Sequence, residues 1–556
     1  MNQQWQILPQ ATDEYLIACS VPPVIAQLLY NRGVRSDEVE AFLAADHRLQ
    51  GNPSLLPDIS QAVNRIYKAL LLKEKIAIFG DFDADGIAAT VILAEGLSWL
   101  GTQATPYIPT RLDEGHGLNS PAIEKLHSQG ISLIISVDCG INNLTEAKRT
   151  RELGMDMIIT DHHVPSATLP QAVAVINPKR KDSRYPFLEL SGAGVALKLL
   201  QAVFHRDNRQ EYLSKLLDLV ALATVADMVP LTGENRYLVK EGLKALNNTP
   251  RIGFQEMIKL AGLKLGELDT EHISWVLGPR INAAGRMNDV STSYRLLITQ
   301  SPEEAHSLAS QLDEKNAERQ RLTNEVLNKA KERLADRIHS PLLIEGHESY
   351  PVGVIGLVAG KLVDEFHKPA IIINIGAELC RGACRSIPEF NIVSALEECH
   401  DLLTAFGGHP SAAGFTVACQ NLVQLEQRLT TLAMNQLSQL DFRPKLVIDA
   451  EVPLSAFAGE AFSSIQKLAP FGQGNPHPTF LSRQVEVVEC RNFGDQGKWL
   501  RLKLKQGNIT WEAVDFESQK AREEIPSRID IVYNLEKRRW NGEEVLRLNL
   551  RDLAPS

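Results

Sequence analysis

Short apolar runs alternate with longer helix-like stretches between residues 74 and 178 of the chain. The helix-like stretch that follows the first run occupies 86–101 and closes on Gly101. Apolar runs without charges, separated by helices, are typical of parallel strands that are buried on both faces of a sheet. The pattern therefore predicts an α/β lobe with strands at 75–79, 105–110, 133–138, 155–161 and 172–178.

A long and highly charged helix is predicted over 301–338. Ser301 and Glu304 have the spacing of a capping box, and Pro302 occupies the first helical position. At the rise of an α-helix, such a segment spans about 50 Å. Because few apolar residues interrupt its charges, we interpret it as a solvent-exposed bridge between two lobes.

The remaining segments complete the predicted architecture. A second α/β pattern follows the long helix, and the C-terminal part consists of short alternating runs separated by turn glycines, which is typical of a small β-barrel. We therefore expect a helical N-terminal segment, two α/β lobes joined by a long helix, and a closed all-β barrel. Their boundaries are predicted at 1–50, 51–300, 301–338, 339–435 and 441–556.

Acidic residues directly follow three of the predicted strands. The turns read GDFDADG, SVDCG and TDHHVP, and their polar residues are Asp81, Asp83, Asp85, Asp138, Asp161, His162 and His163. A further acid, Asp227, closes an apolar helix-like run in ATVADMVPL. Because ligands of parallel sheets bind beyond the carboxyl ends of the strands, we expect these turns to converge in space.

Several common motifs do not account for this cluster. An EF-hand loop needs an acid at its twelfth position, which is Ile92 when the loop starts at Asp81. The phosphate-binding motif G-x-x-x-x-G-K-[ST] does not occur in the sequence. A structural zinc site is disfavoured because most of the donors are oxygens.

A mixed set of carboxylates and imidazoles suits Mn²⁺ or Mg²⁺. We predict two such ions, about 3.5–4 Å apart, with Asp138 as the bridging acid. Such a pair activates a water molecule and neutralises the charge that grows on a phosphoryl group. Other roles stay open here, because Asp81 could instead cap its turn. Asp161 could orient His162 rather than bind metal, and His163 could act as a general acid or a phosphate donor.

Composition and charge describe a water-soluble protein of several domains. The chain has 556 residues, of which 44% are apolar and 23% are charged. Its net charge of −10 argues against binding of polyanions over the whole surface. The N-terminus lacks a secretory pattern, and no apolar run approaches the roughly 20 residues that span a bilayer. The seven cysteines have no strong metal or disulfide spacing. We therefore expect a cytoplasmic protein without membrane association.

The motifs resemble those of a known family. DFDADG, SVDCG, TDHHVP and ADMVPL, in this order, are similar to the four motifs of the DHH phosphoesterase family, named for its Asp-His-His turn. GGHPSAAGF resembles the signature of the DHH-associated domain. GPRINAAGRM and LAPFGQGNPHPTF are similar to segments of the bacterial single-strand-specific 5′-to-3′ exonucleases in this family. The resemblance covers nearly the whole chain.

The resemblance implies a two-lobed catalytic core joined by a long helix, followed by an oligonucleotide-binding barrel. It also implies the activity, which is metal-dependent hydrolysis of single-stranded DNA from the 5′ end to mononucleotides in repair and recombination. The implied metal ligands are Asp83, Asp85, Asp138, His162 and Asp227, with Asp81 as a further candidate. Phe82 departs from the family, where Tyr is frequent, and Cys384 stands where Ser frequently precedes Arg385. Arg385 and Ser386 remain available for a 5′-phosphate.

Cationic side chains are expected to guide the strand toward the metals. Arg111, Arg280 and Arg286 are predicted to lie in glycine-flanked loops, where backbone can approach a ligand closely. His409 could donate to a phosphate near the scissile bond. Gly408, with the glycine before it, would let backbone N–H groups face a terminal phosphate.

The barrel is expected to bind unpaired bases by stacking and by backbone charge. Its candidate residues are Phe493, Trp499, Trp511, Trp540 and the basic run 537–539, which contains Arg538. Some of these aromatic side chains are expected to pack in the core of the barrel instead. Because every base has a π-face, such binding should be largely independent of sequence.

Two other functions stay open at this point. A phosphoesterase acting on pyrophosphate, short oligonucleotides or cyclic dinucleotides would generally lack the terminal barrel. A non-catalytic replication scaffold that binds single strands would be expected to lack metal ligands, and none is missing here. Besides single-stranded DNA, the resemblance implies a single-strand-binding protein and a helicase as partners, with the protein itself a monomer.

Overall fold

A computed structural model describes residues 3–110, 117–287, 289–438, 443–457, 461–494, 499–516, 524–540 and 543–556 of the chain. Its strands are β1 (Gln4–Ile7), β2 (Ile76–Gly80), β3 (Thr105–Tyr107), β4 (Leu133–Val137), β5 (Asp156–Thr160), β6 (Ala174–Ile176), β7 (Leu343–His347), β8 (Ala370–Ile375), β9 (Leu379–Arg385), β10 (Leu403–His409), β11 (Ala412–Ala418), β12 (Lys445–Ile448), β13 (Ala450–Glu451), β14 (Phe480–Phe493), β15 (Trp499–Gln506), β16 (Ile509–Asp515), β17 (Arg528–Trp540) and β18 (Glu543–Pro555). Its helices are α1 (Asp13–Ala18), α2 (Pro23–Asn31), α3 (Val39–Ala44), α4 (Ile59–Leu72), α5 (Ala84–Trp99), α6 (Ser120–Ser128), α7 (Leu144–Glu152), α8 (Gly192–Asp207), α9 (Leu217–Ala226), α10 (Gly233–Leu246), α11 (Ile252–Leu260), α12 (Thr270–His272), α13 (Gly278–Arg286), α14 (Val290–Ile298), α15 (Pro302–Leu334), α16 (Val352–Phe366), α17 (Ile392–Glu397), α18 (Leu422–Leu437) and α19 (Ala461–Gln466).

The chain divides into two units. The first consists of Met1–Asn52, Met228–Glu241 and Pro444–Ser556, and the second consists of Pro53–Asp227 and Gly242–Arg443. In the described ranges, no helix combines the length and the apolar character that crossing a bilayer requires.

A five-stranded parallel sheet forms the first α/β lobe, as the apolar runs predict. Its strand order is β3-β2-β4-β5-β6. The strands β2 and β4 are buried over their full length, because both faces of the sheet are covered. Gly80 pairs with Val137, and Val137 pairs with Thr160. This register places the turns after β2, β4 and β5 side by side at one edge, so their predicted convergence is confirmed.

The long helix α15 is less exposed than its charge predicts. It begins at Pro302, where Ser301 Oγ accepts a hydrogen bond from Glu304 N at 3.2 Å. The reciprocal half of the predicted capping box does not form, because the Glu304 carboxylate accepts hydrogen bonds from Thr299 and Arg295 instead. The buried positions are Ala305, Leu308, Ala309, Leu312, Asn316, Thr323, Val326, Ala330 and Leu334. They recur mostly at intervals of three or four residues, which gives the helix a packed stripe rather than a fully solvated surface.

A second sheet, with the strand order β10-β11-β9-β8-β7, forms the other α/β lobe of the second unit. β7 and β8 are parallel, and the remaining pairs are antiparallel. Ala412 on β11 pairs with Arg385 on one side and with His409 on the other. Arg385 and His409 therefore lie at the same end of the sheet, on the strands that flank β11.

The C-terminal strands close into a barrel, as predicted. The order is β14-β15-β16-β18-β17, and β17 pairs again with β14. The N-terminal segment adds a strand that its helical pattern does not predict, because β1 pairs in parallel with β12. Leu28 and Leu29 of α2 are fully buried in one hydrophobic core with the barrel residues Phe480 and Tyr533.

Candidate metal centre

Asp83, and not Asp81, caps the helix that follows β2. Asp83 Oδ1 accepts hydrogen bonds from the backbone N–H groups of Asp85 at 3.0 Å and Gly86 at 3.1 Å. Asp83 is thus the N-cap of α5, whereas the Oδ1 atom of Asp81 is buried without a hydrogen-bond donor. Gly86 is needed here because a Cβ atom at this position would lie 2.5 Å from the Asp81 carbonyl oxygen.

Asp85 is held in place by the first turn of α8. Its Oδ2 atom accepts a hydrogen bond from Gly192 N at 2.6 Å, and its Oδ1 atom accepts one from Ala193 N at 2.7 Å. Each carboxylate oxygen keeps a further lone pair for a cation. A Cβ atom on Gly192 would lie 2.7 Å from Asp138 Oδ1, so the helix can approach both acids only with glycine at this position.

Asp138 and His162 meet at the centre of the cluster. His162 Nε2 lies 3.1 Å from Asp138 Oδ1 and 3.6 Å from Asp227 Oδ2. Asp85 Oδ2 lies 3.9 Å from the same nitrogen. Asp138 has a left-handed backbone (φ = 58°), a conformation that costs an L-residue about 1–2 kcal/mol and that the surrounding fold imposes.

Three overlapping groups of residues could each hold a metal ion, because the potential ligand atoms within a group all lie within 4.8 Å of one another. The groups are Asp85, His162 and Asp227; Asp81, Asp83 and Asp138; and Asp138, His162 and His163. Asp138 and His162 each belong to two of these groups. The Oδ1 atoms of Asp81 and Asp138 and both ring nitrogens of His162 are buried without hydrogen-bond partners. Divalent cations of the Mn²⁺ or Mg²⁺ type fit this donor set, because they would satisfy the buried oxygens and nitrogens that the protein leaves unpaired.

Crowding strongly changes the acidity of the cluster. Burial, followed by repulsion from Asp83, raises the pKa of Asp81 and of Asp85 to about 7. Burial, followed by repulsion from neighbouring aspartates, also raises the pKa values of Asp138 and Asp227 well above the usual range. Burial lowers the pKa of His162 to about 3, and the neighbouring His163 contributes to this shift, so its imidazole is neutral and able to bind a metal.

Asp161 orients the ring of His163, and not that of His162 as the sequence suggests. Asp161 Oδ1 lies 2.8 Å from His163 Nδ1 and also accepts hydrogen bonds from the backbone N–H groups of His162 and His163. Its Oδ2 atom accepts one from Ile141 N at 2.9 Å. Burial opposes ionisation of Asp161, but the His163 interactions outweigh it and lower its pKa to about 2. The ring of His163 stacks at 12° to that of His409, with centroids 6.2 Å apart.

The predicted arginines of the first lobe lie on a helix rather than in loops. Arg280 and Arg286 both belong to α13. The guanidinium of Arg280 is 2.7 Å from an Asp313 oxygen, and Arg286 Nη1 donates to the Gly353 carbonyl at 3.4 Å. Arg111 lies outside the described residues.

Arg385 and His409 mark the end of the second sheet. Burial lowers the pKa of Arg385, whose Nη1 atom donates to the Cys384 carbonyl at 2.9 Å. Ser386 is buried, and its hydroxyl donates to the Phe390 carbonyl at 2.6 Å, which leaves its lone pairs as acceptors only. Gly408 lies on the edge strand β10 at φ = 143°, and a Cβ atom there would lie 2.4 Å from the Ala412 carbonyl oxygen.

The barrel separates the predicted aromatic residues into two environments. Trp499 is 37% exposed, and its ring lies 5.7 Å from that of Phe493 and 5.4 Å from that of Phe516. The guanidinium groups of Arg501 and Arg547 lie over the Phe493 and Phe516 rings. This aromatic cluster, made of Phe493, Trp499 and Phe516, is suited to stacking on bases.

Trp511 packs against the hydrophobic core of the barrel, with its ring edge-on to that of Phe457. This placement favours a packing role over the stacking role that the sequence predicts for Trp511. The side chains of Arg538 and Trp540 lie outside the described residues, although both belong to β17.

Sequence reasoning missed two residues that shape the metal centre and one in the barrel. Asn282 Oδ1 accepts a hydrogen bond from Ala84 N at 2.7 Å and so secures the start of α5. Gly192 lies in SGAG, where a serine followed by glycines could have marked a helix start that contacts a ligand. Phe516 completes the aromatic cluster, but no local pattern distinguishes it from a core residue.

Three family models match successive parts of the chain. They are the DHH family N-terminal domain at 75–224, the DHHA1 domain at 322–434 and the RecJ OB domain at 448–552. The predicted resemblance to the DHH family is thus confirmed.

Curated relatives and solved structures extend this similarity to the full length. The single-stranded-DNA-specific exonuclease RecJ of Bacillus subtilis is 36% identical, over 96% of this chain and 68% of that protein. The protein of the same name from Salmonella typhimurium is 30% identical over 100% of both chains. The crystal structure of Thermus thermophilus RecJ in complex with Mn²⁺ is 29% identical, with a TM-score of 0.86, and the match covers 100% of this chain and 80% of that chain. Because its sequence and its fold both match along its length, this chain belongs to the RecJ family of DHH proteins.

Proposed function

We propose that the protein is a metal-dependent exonuclease that hydrolyses single-stranded DNA from its 5′ end and releases mononucleotides. The observation that carries this proposal is the overlap of three potential ligand groups at Asp138 and His162, where buried donor atoms lack partners. Relatives of the chain are named single-stranded-DNA-specific exonucleases, and one was crystallised with Mn²⁺, which supports both the substrate and the cofactor.

Two divalent cations, Mn²⁺ or Mg²⁺, would supply an activated water and neutralise the charge that develops on the scissile phosphate. Asp85, His162 and Asp227 would hold one ion. Asp81 and Asp83 would hold the other, with Asp138 between the two positions. The hydrogen bonds from α8 to Asp85 fix this acid, so that its remaining lone pairs face the cluster in a defined direction.

His163 is suited to donate a hydrogen bond or a proton to a phosphate oxygen. Its Nδ1 atom is engaged by Asp161, which leaves Nε2 as the donor. His409 is exposed and stacked beside it, and so extends the same donor surface. Catalytic roles for His163 and His409, with Asp161 as the positioning residue, therefore fit the geometry.

A 5′-terminal phosphate would be held at the end of the second sheet. Arg385 provides a half-buried side chain with a guanidinium, and the edge strand at Gly408 provides backbone groups close to His409. Ionic and backbone donors of this kind bind a terminal phosphate without contacting the base. The barrel would hold the strand through its aromatic cluster, which explains an activity that does not depend on sequence.

The proposal is tested with end-labelled single and double strands of both polarities, incubated with Mn²⁺, with Mg²⁺ or with EDTA. We expect mononucleotides from single strands with a free 5′ end, and no digestion in EDTA. Asp138→Ala is expected to abolish cleavage without preventing DNA binding. Intact 5′-exposed single strands in the presence of both metals would refute the proposal.

The alternatives that the sequence leaves open receive less support. A complete ligand set disfavours a non-catalytic scaffold, and a closed barrel with an exposed aromatic cluster favours long strands over dinucleotides. Comparing the hydrolysis rate of a long oligothymidylate with that of a dinucleotide separates the two phosphodiesterase functions.

We also propose that the protein acts as a cytoplasmic monomer in DNA repair and recombination, together with a helicase and a single-strand-binding protein. A helicase would provide the single strands that this enzyme consumes. Light scattering of the purified protein measures its molar mass and so tests whether it is a monomer. Co-purification with the tagged protein tests whether a helicase and a single-strand-binding protein bind to it.

A further inference from the structure

A pair of thiols lies where the two ends of one segment of the second sheet meet. Cys380 lies near the start of β9, and Cys419 directly follows β11. The two residues are 39 positions apart in the chain, and their Sγ atoms lie 2.7 Å from each other. No spacing along the sequence indicates this pair, because it depends on the antiparallel register in which Leu379 faces Ala418.

The backbone around both cysteines is already held in place. Cys419 N donates to the Glu378 carbonyl at 2.9 Å, immediately before β9, and Cys380 faces Val417 across the ladder. Because the sulfurs of a disulfide are about 2.05 Å apart, the two Sγ atoms need to approach by less than about 1 Å. A small rotation of the side chains supplies this movement without a change of register.

The two thiols differ in exposure and in acidity. Cys380 is fully buried, whereas Cys419 is partly exposed. Cys419 Sγ donates to the Gly376 carbonyl at 3.3 Å, which leaves its lone pairs to accept the proton of Cys380. Burial, followed by the hydrogen bond with Cys419, raises the pKa of Cys380 to about 11. An oxidant in solution therefore reaches Cys419 first, and Cys380 lies behind it as the second thiol.

We propose that Cys380 and Cys419 are a redox modification site, at which hydrogen peroxide converts the two thiols into a reversible disulfide. The Cys419 sulfur attacks one peroxide oxygen, which breaks the O–O bond, forms a sulfenic acid and releases one water. The Cys380 sulfur then attacks the Cys419 sulfur, so that an S–S bond replaces the S–O bond and a second water leaves with the Cys380 proton. The two sulfurs together lose the two electrons that the peroxide gains.

A metal site is the other common use of paired cysteines. Among the described residues, however, neither thiol belongs to a group that could hold an ion. In the cytoplasmic location proposed above, disulfides are mostly transient and redox-sensing, which favours a bridge that forms and is reduced again.

The bridge would close the segment that contains Arg385 and His409, the groups proposed to meet a terminal phosphate. Closing a loop in this way restricts the opened states of the chain, so oxidation should stabilise the strands that present both side chains. The inference is independent of the proposed nuclease activity, because neither thiol takes part in the metal centre.

Peptide mapping by mass spectrometry tests the bridge. The reduced protein is treated with hydrogen peroxide, its remaining thiols are blocked, and its peptides are compared before and after dithiothreitol. We expect a peptide that links Cys380 to Cys419 and that dithiothreitol separates. In Cys380→Ala, the sulfenic acid should persist on Cys419 and be trapped by dimedone. In Cys419→Ser, Cys380 should stay reduced. Cys490→Ser is the matched control, because Cys490 is also partly exposed, and it should form the bridge like the unmodified protein.

Hydrogen exchange measures the consequence for the second sheet. Oxidation should slow amide exchange in β9 and β11 at least about 10-fold in the unmodified protein and leave it unchanged in Cys419→Ser. If both cysteines stay reduced in peroxide, or if they form disulfides with other cysteines instead, the inference is overturned. A bridge that forms without slowing exchange would overturn its stabilising role.

Discussion

Oδ1 of Asp161 lies 2.8 Å from Nδ1 of His163, within the turn that gives the DHH motif its three residues. Four nitrogens surround the Asp161 carboxylate, and three of them are backbone nitrogens of this turn and of the turn after β4. This acid belongs to none of the potential ligand groups among the described residues. Its role is to fix the orientation and the tautomer of one imidazole.

Replacing Asp161 should separate catalysis from metal binding. In Asp161→Asn the amide keeps the size of the side chain but loses the charge that holds His163, so we expect kcat to fall about 10- to 100-fold. Mn²⁺ affinity should change little, because Asp161 belongs to none of the potential ligand groups among the described residues. Steady-state kinetics and titration calorimetry measure the two quantities. A loss of Mn²⁺ binding equal to the loss of kcat would place Asp161 among the ligands.

Removing Asp138 should reduce the number of bound ions. Asp138 belongs to two potential ligand groups, so Asp138→Asn is expected to bind at most one Mn²⁺ where the unmodified protein binds two. Electron paramagnetic resonance counts the ions directly. Two ions bound with unchanged affinity in the variant would contradict a bridging position.

A substitution that removes no ligand should also damage the metal centre. The Cβ atom of Gly192→Ala would lie 2.6 Å from Asp138 Cβ, so either the helix or the acid must move. By analogy with the loss of groups that orient ligands, we expect metal affinity or activity to fall about 10- to 100-fold. Gly194→Ala is the matched control on the same helix, because its Cβ atom would approach Leu190 no closer than 3.4 Å. Equal effects of the two substitutions would show that the helix, rather than the clash, is responsible.

Two tryptophans of the barrel should respond differently to truncation. Trp499→Ala removes the exposed centre of the aromatic cluster, and we expect single-strand affinity to fall about 5- to 150-fold at an unchanged melting temperature. Trp511→Ala opens space beside the core and should lower the melting temperature while the folded protein binds DNA normally. Calorimetry measures the melting temperatures, and fluorescence anisotropy measures the affinity for single strands. If Trp499→Ala lowered the melting temperature and Trp511→Ala weakened DNA binding, the two roles would be the reverse of those assigned here.

One acid outside the metal centre gives a pH-dependent contribution to stability. Burial raises the pKa of Asp289, but hydrogen bonds from Lys315, Thr292 and Ser291 outweigh it and lower the value to about 2. The folded-state pKa is depressed, so the stabilisation is complete above the unfolded-state value and is lost as pH falls toward 2. Since the side chain is 35% exposed, we expect Asp289→Asn to cost about 1 kcal/mol at pH 6, with a smaller cost at pH 3. Denaturant titrations measure this difference, and the exposed Asp336→Asn is the charge control. A cost that is constant between pH 6 and pH 3 would rule out this linkage.

Much of the site could be predicted because it depends on strand ends. Apolar runs identify β2, β4 and β5, and parallel pairing forces the residues after them to one edge. Asp81, Asp138 and His162 could therefore be grouped from the order of residues along the chain. Side-chain partners could not be assigned in the same way, because Asp81 and Asp83 both follow β2, and only the geometry of the turn shows which one caps α5.

Wrong predictions for residues that contact distant parts of the chain have a related cause. Arg280 lies near glycines that suggest a loop, yet tertiary packing of Gly278 and Gly285 against the metal centre makes the segment helical. The charges of α15 conceal a stripe of small and apolar residues, whose burial depends on neighbours distant in sequence. Trp499 and Trp511 are equivalent in a pattern of alternating residues, and the closed barrel separates them.

The sequence by itself determined the parallel sheet, the barrel and the acids and imidazoles that gather at one edge, because periodicity and chain order are local properties. Tertiary structure decided which atoms remain unpaired. Whether Asp161 contacts His162 or His163, and whether Gly192 lies against Asp138, depends on distances of a few ångströms between segments far apart in the chain. Hydrogen bonding and close packing act over that range, and no pattern along a single chain encodes it.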